Sequence, residues 1–540
     1  MSGTPIARQG LLVTLNNVLG AGAGFAALFV VARYMGDAAL GSRAYALALV
    51  NLVGILARLG LPTTHVRRLA RGDDPGTAVA TFAALKGLLT ALFMLVAGGV
   101  AWLWFGVLHR GVSDTTPMAL VLAYWIVVVQ SLRDVPVSTF QGLRMIVERE
   151  SVLFANTVST VLLTLAVGVA DAQSHGRWSP APAFGAWVAR TLHVTAPMGF
   201  EQAVTLLVLA VLVAEASALA LALAVFAWRR LKVGRPSWAM ARTYLAFTMP
   251  LMLLAVGEVV TKWLSQVLLG FWWDARELGQ FAAAAKLSEV LLLLATSLAV
   301  ILLPALSDLH KRGKDGDALA LTNKAERWMS LLLWPAITMA ALLPGPIVHV
   351  LLSDQFQRAG PVLAILALQA LITSLVVPAQ ALAIGTGRPR FAAQVVVASL
   401  VASVLLSAWL VPPAGMPWPS LGLGAVGSAL ATLVATALAL VLYRIPRGDW
   451  PGHRYAKRSL WVHLAAAAVT YGLFRVLPLP TPARLPALLL QCAAIGAVYV
   501  VLLLLVRELH GGDWRDLKRL LRPAASGDAA ELENPEVESP

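Results

Sequence analysis

The sequence predicts an all-α integral membrane protein of about fourteen transmembrane helices. Two six-helix lobes, related by a pseudo-twofold axis along the membrane normal, are followed by two C-terminal helices. Three observations predict this. Apolar runs of membrane length recur along the chain, positive charge gathers in alternate connectors, and short motifs return after roughly 240 residues. Composition agrees, at 59% hydrophobic and 13% charged residues with a mean hydropathy of +0.76. A soluble domain this apolar would precipitate.

A hydrocarbon core about 30 Å thick requires a helix of roughly 20 apolar residues. The runs that meet this are Leu11–Ala32, Leu40–Leu61, Val79–Val107, Pro117–Leu143, Val152–Ala170 and Gln202–Trp228. After a basic linker come Leu245–Phe271, Gly279–Leu303, Trp328–Leu352, Gly360–Ile384, Phe391–Val411 and Leu423–Tyr443, then Leu460–Leu477 and Leu485–Val506. No small-residue cleavage site follows the first run, which therefore reads as a retained helix rather than a signal peptide. The divisions expected are an N-lobe over 1–230, a linker over 231–242, a C-lobe over 243–445, the last two helices over 446–506 and a tail over 507–540. The tail begins as the basic amphipathic piece WRDLKRLLRP and ends acidic and without aromatics, a composition that predicts disorder.

The connectors orient the chain. With the N-terminus in the cytoplasm, the inside segments hold 28 of the 42 Lys and Arg, the outside loops 9 and the helices 5. This positive-inside bias places both termini in the cytoplasm of a multi-pass protein of the cell membrane. The positive charge therefore faces anionic membrane lipids, and no nucleic-acid partner is expected. Trp102, Trp104, Trp272, Trp273 and Trp409 fall near outer helix ends, where amphipathic rings favour the interface. In the longest outside connector, GAWVARTLHV suits a surface helix. The single cysteine, Cys492, excludes a disulfide framework and a multi-cysteine metal site.

The repeat is carried by three echoes. GDAALGSRAYALA from Gly36 matches WDARELGQFAAAA from Trp273. Pro62 and Pro304 each lead into a basic loop, and FQGLR matches IGTGR. An even number of helices separates the copies, so both halves run the same way through the membrane. Repeat-built transporters bind their cargo between the repeats, near the midplane.

Charges within the runs mark candidate site residues. The cations are Arg58, Lys86, Arg133, Lys262 and Lys286, and the acids Asp134, Glu215, Glu258 and Glu289. A charge at the bilayer centre costs about 2.5–3.5 kcal/mol on insertion scales, so each needs a partner or a wet cavity. In the seventh run Glu258, Lys262 and Gln266 form one stripe at helical spacing, flanked by Gly257, Thr261 and Ser265. In the eighth, Lys286 and Glu289 share a face with Thr296 nearby. Neutralised i,i+3 and i,i+4 pairs are the structural alternative. Arg58 and Lys86 lie near helix ends where they can snorkel, Arg133 adjoins Asp134, and Glu215 suits a protonated core acid equally well. Cations from both halves around one cavity would suit an anionic head group such as a phosphate.

The motifs VARYMGDAALGSRAYALA with LARLGLP, AAKLSEVLLLLATSLAVILLPALSDL, IVHVLLSDQFQRAGPVLAIL and IGTGRPRF stand in an order that resembles a known family. It is that of the polysaccharide and oligosaccharide flippases, in the superfamily that also holds the multidrug exporters and the peptidoglycan lipid flippases. The resemblance implies a V-shaped pair of lobes moving by alternating access, and cargo carried on a polyprenyl phosphate or diphosphate. Lys286 matches the eighth-helix cation of the peptidoglycan flippases, and Glu258 lies on the helix where relatives place a Na⁺- or H⁺-binding acid. Glu215 is a second candidate coupling acid. The first-helix arginine of the peptidoglycan flippases has no counterpart, since Asn16 and Asn17 stand there, which argues against their cargo. The last two helices are expected to offer a groove for a lipid tail.

The expected function is thus translocation of a lipid-linked oligosaccharide by a monomer without cofactor, coupled to Na⁺ or H⁺. Lys262, Lys286, Glu289, Arg58, Lys86 and Arg133 would line the cationic cavity. The rivals are an ion-coupled exporter of cationic drugs, a peptidoglycan-precursor flippase, a purely structural membrane protein and a membrane-embedded enzyme. The last would need a catalytic motif, and neither a phosphate-binding loop nor a zinc-binding HExxH occurs. The topology is checked with a phosphatase active only outside the cell. Fused after Gly415 it should be active and after Gly313 inactive; the reverse would overturn the assignment.

Overall fold

The computed structural model describes residues 6–103, 117–176, 182–191, 197–417, 419–446, 457–477, 480–482 and 484–508, and all of their regular structure is helical. The N-terminal half contains α1 (Ile6–Val30), α2 (Gly36–Val53), α3 (Ile55–Arg58), α4 (Leu61–Ala70), α5 (Pro75–Ala101), α6 (Pro117–Gly142), α7 (Ile146–Ser174), α8 (Pro182–Thr191) and α9 (Phe200–Trp228). The C-terminal half contains α10 (Trp238–Trp272), α11 (Ala275–Lys311), α12 (Asp315–Leu342), α13 (Pro344–Leu351), α14 (Ala359–Gly385), α15 (Pro389–Leu410) and α16 (Gly424–Arg444). A final pair follows, α17 (Lys457–Val476) and α18 (Leu485–Leu505).

Each of the fourteen apolar runs falls mainly on helix, residues 104–107 of the third lying outside the described residues. Among the described residues, ten helices are long and apolar enough to cross a membrane, or eleven when α12 and α13 count as one bent span. The chain is a multi-pass membrane protein. Trp104, residues 192–194 of the expected surface segment and the tail from residue 509 lie outside the described residues; α8 covers the rest of that surface segment.

Two runs read as single helices are broken. Leu40–Leu61 stops as α2 at Val53, resumes as the short α3, then turns at Leu59 (φ 32°) and Gly60 (φ 70°). Gly60 adopts the left-handed conformation without a Cβ clash. Pro62 then sits in the first turn of α4, where a missing N–H leaves no bond unmade. Trp328–Leu352 bends by 87° between α12 and α13, because Pro344 cannot donate to the ladder that would continue α12. Side-chain caps set the starts of α5 and α11. Asp74 accepts from the Thr77 amide at 2.8 Å and Asp274 from the Glu277 amide at 2.9 Å.

Helix pairing in one half recurs in the other. α6 and α7 both pack on α9, and α14 and α15 both pack on α16; α1 lies on α7, and α10 on α15. The halves meet along α2, which packs on α10 and α11. The two copies of the Leu-Gly motif make that contact. A Cβ on Gly41 would fall 1.8 Å from the Ala275 carbonyl oxygen, and one on Gly279 would fall 2.0 Å from the Asp37 carbonyl oxygen. Each glycine therefore admits the first turn of the opposite helix, backbone against backbone. Beside them, the buried Gln280 amide donates to Asp37 Oδ2 at 2.9 Å and to the Gln355 carbonyl at 2.7 Å.

At the end that carries the basic loops, α4 meets the first turns of α10. Thr64 and Thr248 share a hydrogen bond of 2.7 Å. The buried His65 ring lies 2.8 Å from the Tyr244 hydroxyl and 3.0 Å from that of Thr139, and stacks on Phe82 at 4.2 Å between centroids. Burial pushes its pKa down to about 3, so it remains a neutral hydrogen-bonding group.

Overpacking a backbone contact costs about 1–3 kcal/mol. Gly41→Ala and Gly279→Ala should therefore each lower the thermal unfolding midpoint by several degrees, whereas Gly99→Ala, with open space around it, should leave it unchanged. Fluorescence-detected unfolding in detergent measures all three.

Candidate functional site

A cavity of about 400 Å³ opens between the halves. Gly20, Gly24 and Ala27 of α1, Arg43 of α2, and Asn156, Thr157 and Thr160 of α7 form the wall on one side. Lys262, Trp263 and Gln266 of α10 and Ala282, Lys286 and Glu289 of α11 form the other. The small residues of α1 make the room. A Cβ on Gly24 would stand 3.5 Å from Lys286 Cε, so the lysine chain runs in van der Waals contact alongside the helix.

Among the described residues, three cations and one carboxylate reach this space. Lys286 Nζ lies 2.7 Å from Glu289 Oε2, one turn along α11. Lys262 Nζ approaches the other carboxylate oxygen at 3.8 Å from α10 and stands 5.3 Å from the centre of the Trp263 ring. The side chains of Lys262, Lys286 and Glu289 are 57%, 45% and 42% exposed. Arg43, on the facing helix, forms no ion pair among the described residues. Among the described residues the wall thus carries an excess of positive charge contributed by both halves, with the two lysines exposed to the cavity.

The remaining intramembrane charges are placed differently. Lys86 is 2% exposed and donates to Asp134 at 2.8 Å and to the Ala57 carbonyl at 3.0 Å. Arg133 pairs with buried Glu215 at 2.7 Å. Glu215 also accepts from Gln130 at 2.8 Å and from Asn156 at 3.3 Å. Arg58 donates to Gln130, and to Asn51 at 3.3 Å. This network ties α3, α5, α6, α7 and α9 together inside the N-terminal half.

The sequence reading therefore needs correction at several positions. Arg58, Lys86 and Arg133 do not line the cavity, because carboxylates and amides within their own half satisfy them first. Arg133 pairs across to α9 and leaves its neighbour Asp134 to Lys86. Lys262 faces Glu289 on the next helix. The Glu258 and Thr296 side chains lie outside the described residues. Of the expected cavity set, Lys262, Lys286 and Glu289 come together, joined by Gln266.

Arg43 was missed. It falls inside an apolar run, but its nearness to the first outer connector had grouped it with the loop charges. Its position two residues after the repeat glycine Gly41 was the available signal. Asn156, Thr157 and Thr160 gave none, since single hydroxyl and amide groups in an apolar helix commonly bond to their own backbone, as Thr157 and Thr160 also do here.

Removing one partner of a buried ion pair costs about 3–5 kcal/mol, because the other charge is left unpaired. Lys86→Met should strongly destabilise the protein, with a large fall in unfolding midpoint and monodisperse yield. Lys286→Met removes a solvent-screened partner and should shift the midpoint little. Equal effects would erase the distinction between the sealed and open charges.

Comparison with known proteins places this geometry. A family of polysaccharide biosynthesis proteins matches residues 194–361. The chain is 21% identical over 443 residues to the probable low-salt glycan biosynthesis flippase Agl15 of Haloferax volcanii, covering 81% of this chain and 82% of the relative. Among solved structures, the lipid II flippase MurJ in an inward closed conformation matches with a TM-score of 0.65 at 10% identity, over 92% of this chain and 99% of that one. An inward-facing multidrug resistance MATE family transporter of the MOP superfamily matches at 0.55 and 14% identity, over 82% and 94%. The chain carries the all-helical membrane-transporter fold that these flippases and exporters share.

Proposed function

We propose that this protein flips an oligosaccharide linked to a polyprenyl phosphate or diphosphate from the inner to the outer leaflet of the cell membrane, by alternating access of its two halves. The similarity to a glycan flippase supports a carrier rather than an enzyme. The observation that carries the substrate class is the cavity wall, where the described charges are Arg43 from one half, Lys262 and Lys286 from the other, and the Glu289 carboxylate. A phosphate leaving bulk water needs its charge compensated, and ammonium and guanidinium groups do this as charge-assisted donors. Trp263, Asn156 and Gln266 add an aromatic face and amides suited to a sugar.

The same wall disfavours the drug-exporter reading, since a cationic drug would meet net positive charge. The peptidoglycan-precursor reading is ranked lower because α1 offers Asn16, which donates to Glu150 at 2.6 Å, where those flippases carry arginine. The proposal includes a monomer with both termini in the cytoplasm and coupling to Na⁺ or H⁺. Glu258 is the preferred coupling acid, because Glu215 is already held by Arg133, Gln130 and Asn156.

The test is transport of a fluorescent polyprenyl-diphosphate saccharide by protein in proteoliposomes. A hydrogen bond to a charged group is worth about 1.5–3 kcal/mol, so Arg43→Ala, Lys262→Ala and Lys286→Ala should each slow transport about tenfold or more. Unaltered transport by the triple variant, correctly inserted, would overturn the proposal.

A further inference from the structure

We infer that Glu289 is a resident stand-in for the cargo's phosphate: it occupies the two lysines while the cavity is empty, is displaced when the anion enters, and returns to help expel it. This rests on the reading of the cavity given above and adds a release step to it.

Three features of the geometry support this. First, one carboxylate serves two ammoniums from different helices, Lys286 at 2.7 Å and Lys262 at 3.8 Å, so its oxygens lie where an anion bridging both lysines would place its own. Second, the trio is wet. Its side chains are 42–57% exposed, whereas in the Arg133–Glu215 and Arg444–Glu326 pairs neither partner exceeds 14%. A sealed pair cannot part without stranding a buried charge, but an exposed one is held only weakly. Glu289 is therefore bound weakly enough to be exchanged. Third, Arg43 stands in the same cavity without a carboxylate of its own among the described residues. A phosphate has more oxygens than Glu289 and up to twice its charge, so it competes for both lysines and gains the field of Arg43 in the same cavity.

Without Glu289 the described cavity residues would offer three cations and no counter-charge, and a bound phosphate would leave slowly. A carrier must bind firmly enough to load and loosely enough to unload. A tethered carboxylate meets both needs, because it competes for the lysines at a fixed local concentration on every cycle. Glu289 is thus a positioning residue for release, acting through Lys262 and Lys286.

The experiment uses full-length protein in lipid nanodiscs, with farnesyl diphosphate as the binding probe, alongside the proteoliposome transport assay. Glu289→Gln should bind the probe about tenfold tighter, as expected for removing one like charge from a partly solvated site, with slower probe dissociation and slower transport. Glu289→Asp should restore both toward the original values, and recovery of binding in either variant shows that it has folded. Unchanged or weaker probe binding by Glu289→Gln, while Lys262→Ala and Lys286→Ala still weaken it, would overturn the stand-in role and leave the cationic cavity standing. Probe binding indifferent to both lysine variants would overturn the cavity reading, and this inference with it.

Discussion

The cost of an ionised group within apolar helices governs the rest of the structure. Each such group is either paired inside protein or turned toward a wet space. Lys86, Arg133 and Glu215 take the first course, with Lys86 at 2% exposure and Glu215 at 5%. Lys262, Lys286 and Glu289 take the second, each about half exposed. The same residue types therefore do two kinds of work. The first group bolts together the helices of the N-terminal half, and the second leaves charge available to a cargo between the halves. Asn156 joins the two, lining the cavity while donating to Glu215 at 3.3 Å.

The cavity exists because of where backbone approaches backbone. Gly41 and Gly279 let α2 and α11 touch through their first turns, which pins the halves together at that end. Toward the basic loops, α4 and α10 meet through Thr64, Thr248, His65 and Tyr244 instead. These are neutral hydrogen bonds, and neutral contacts part at lower cost than buried charge pairs. Between these two contacts Gly20 and Gly24 line the cavity from α1, and the Lys286 chain runs beside Gly24.

Much of the fold was legible because membrane helices obey a single strong rule. Each crossing must satisfy its own backbone hydrogen bonds, so apolar length maps directly onto helix. Leu485–Val506 and Gln202–Trp228 needed no tertiary information to be recognised. The breaks at Leu59–Gly60 and at Leu343 were harder, because apolarity continues across them and only the local Gly and Pro chemistry marks the turn. Arg43 was obscured in the same way, since run boundaries locate a charge along the chain and not around the helix.

The sequence by itself determined the membrane class, the orientation expected from charge asymmetry, the repeat and the intramembrane charges, because composition and spacing are properties of the chain. Only the tertiary structure decided which charge answers which. Lys262 and Glu289 are 27 residues apart in sequence and lie on separate helices, yet they meet in one wall of the cavity. Arg133 reaches Glu215 on α9, while Asp134 beside it turns to Lys86 on α5. Adjacent residues on a helix point in directions about 100° apart, so neighbours in sequence meet different partners in space. Whether a charge is sealed or offered to a ligand depends on what the other helices bring to it.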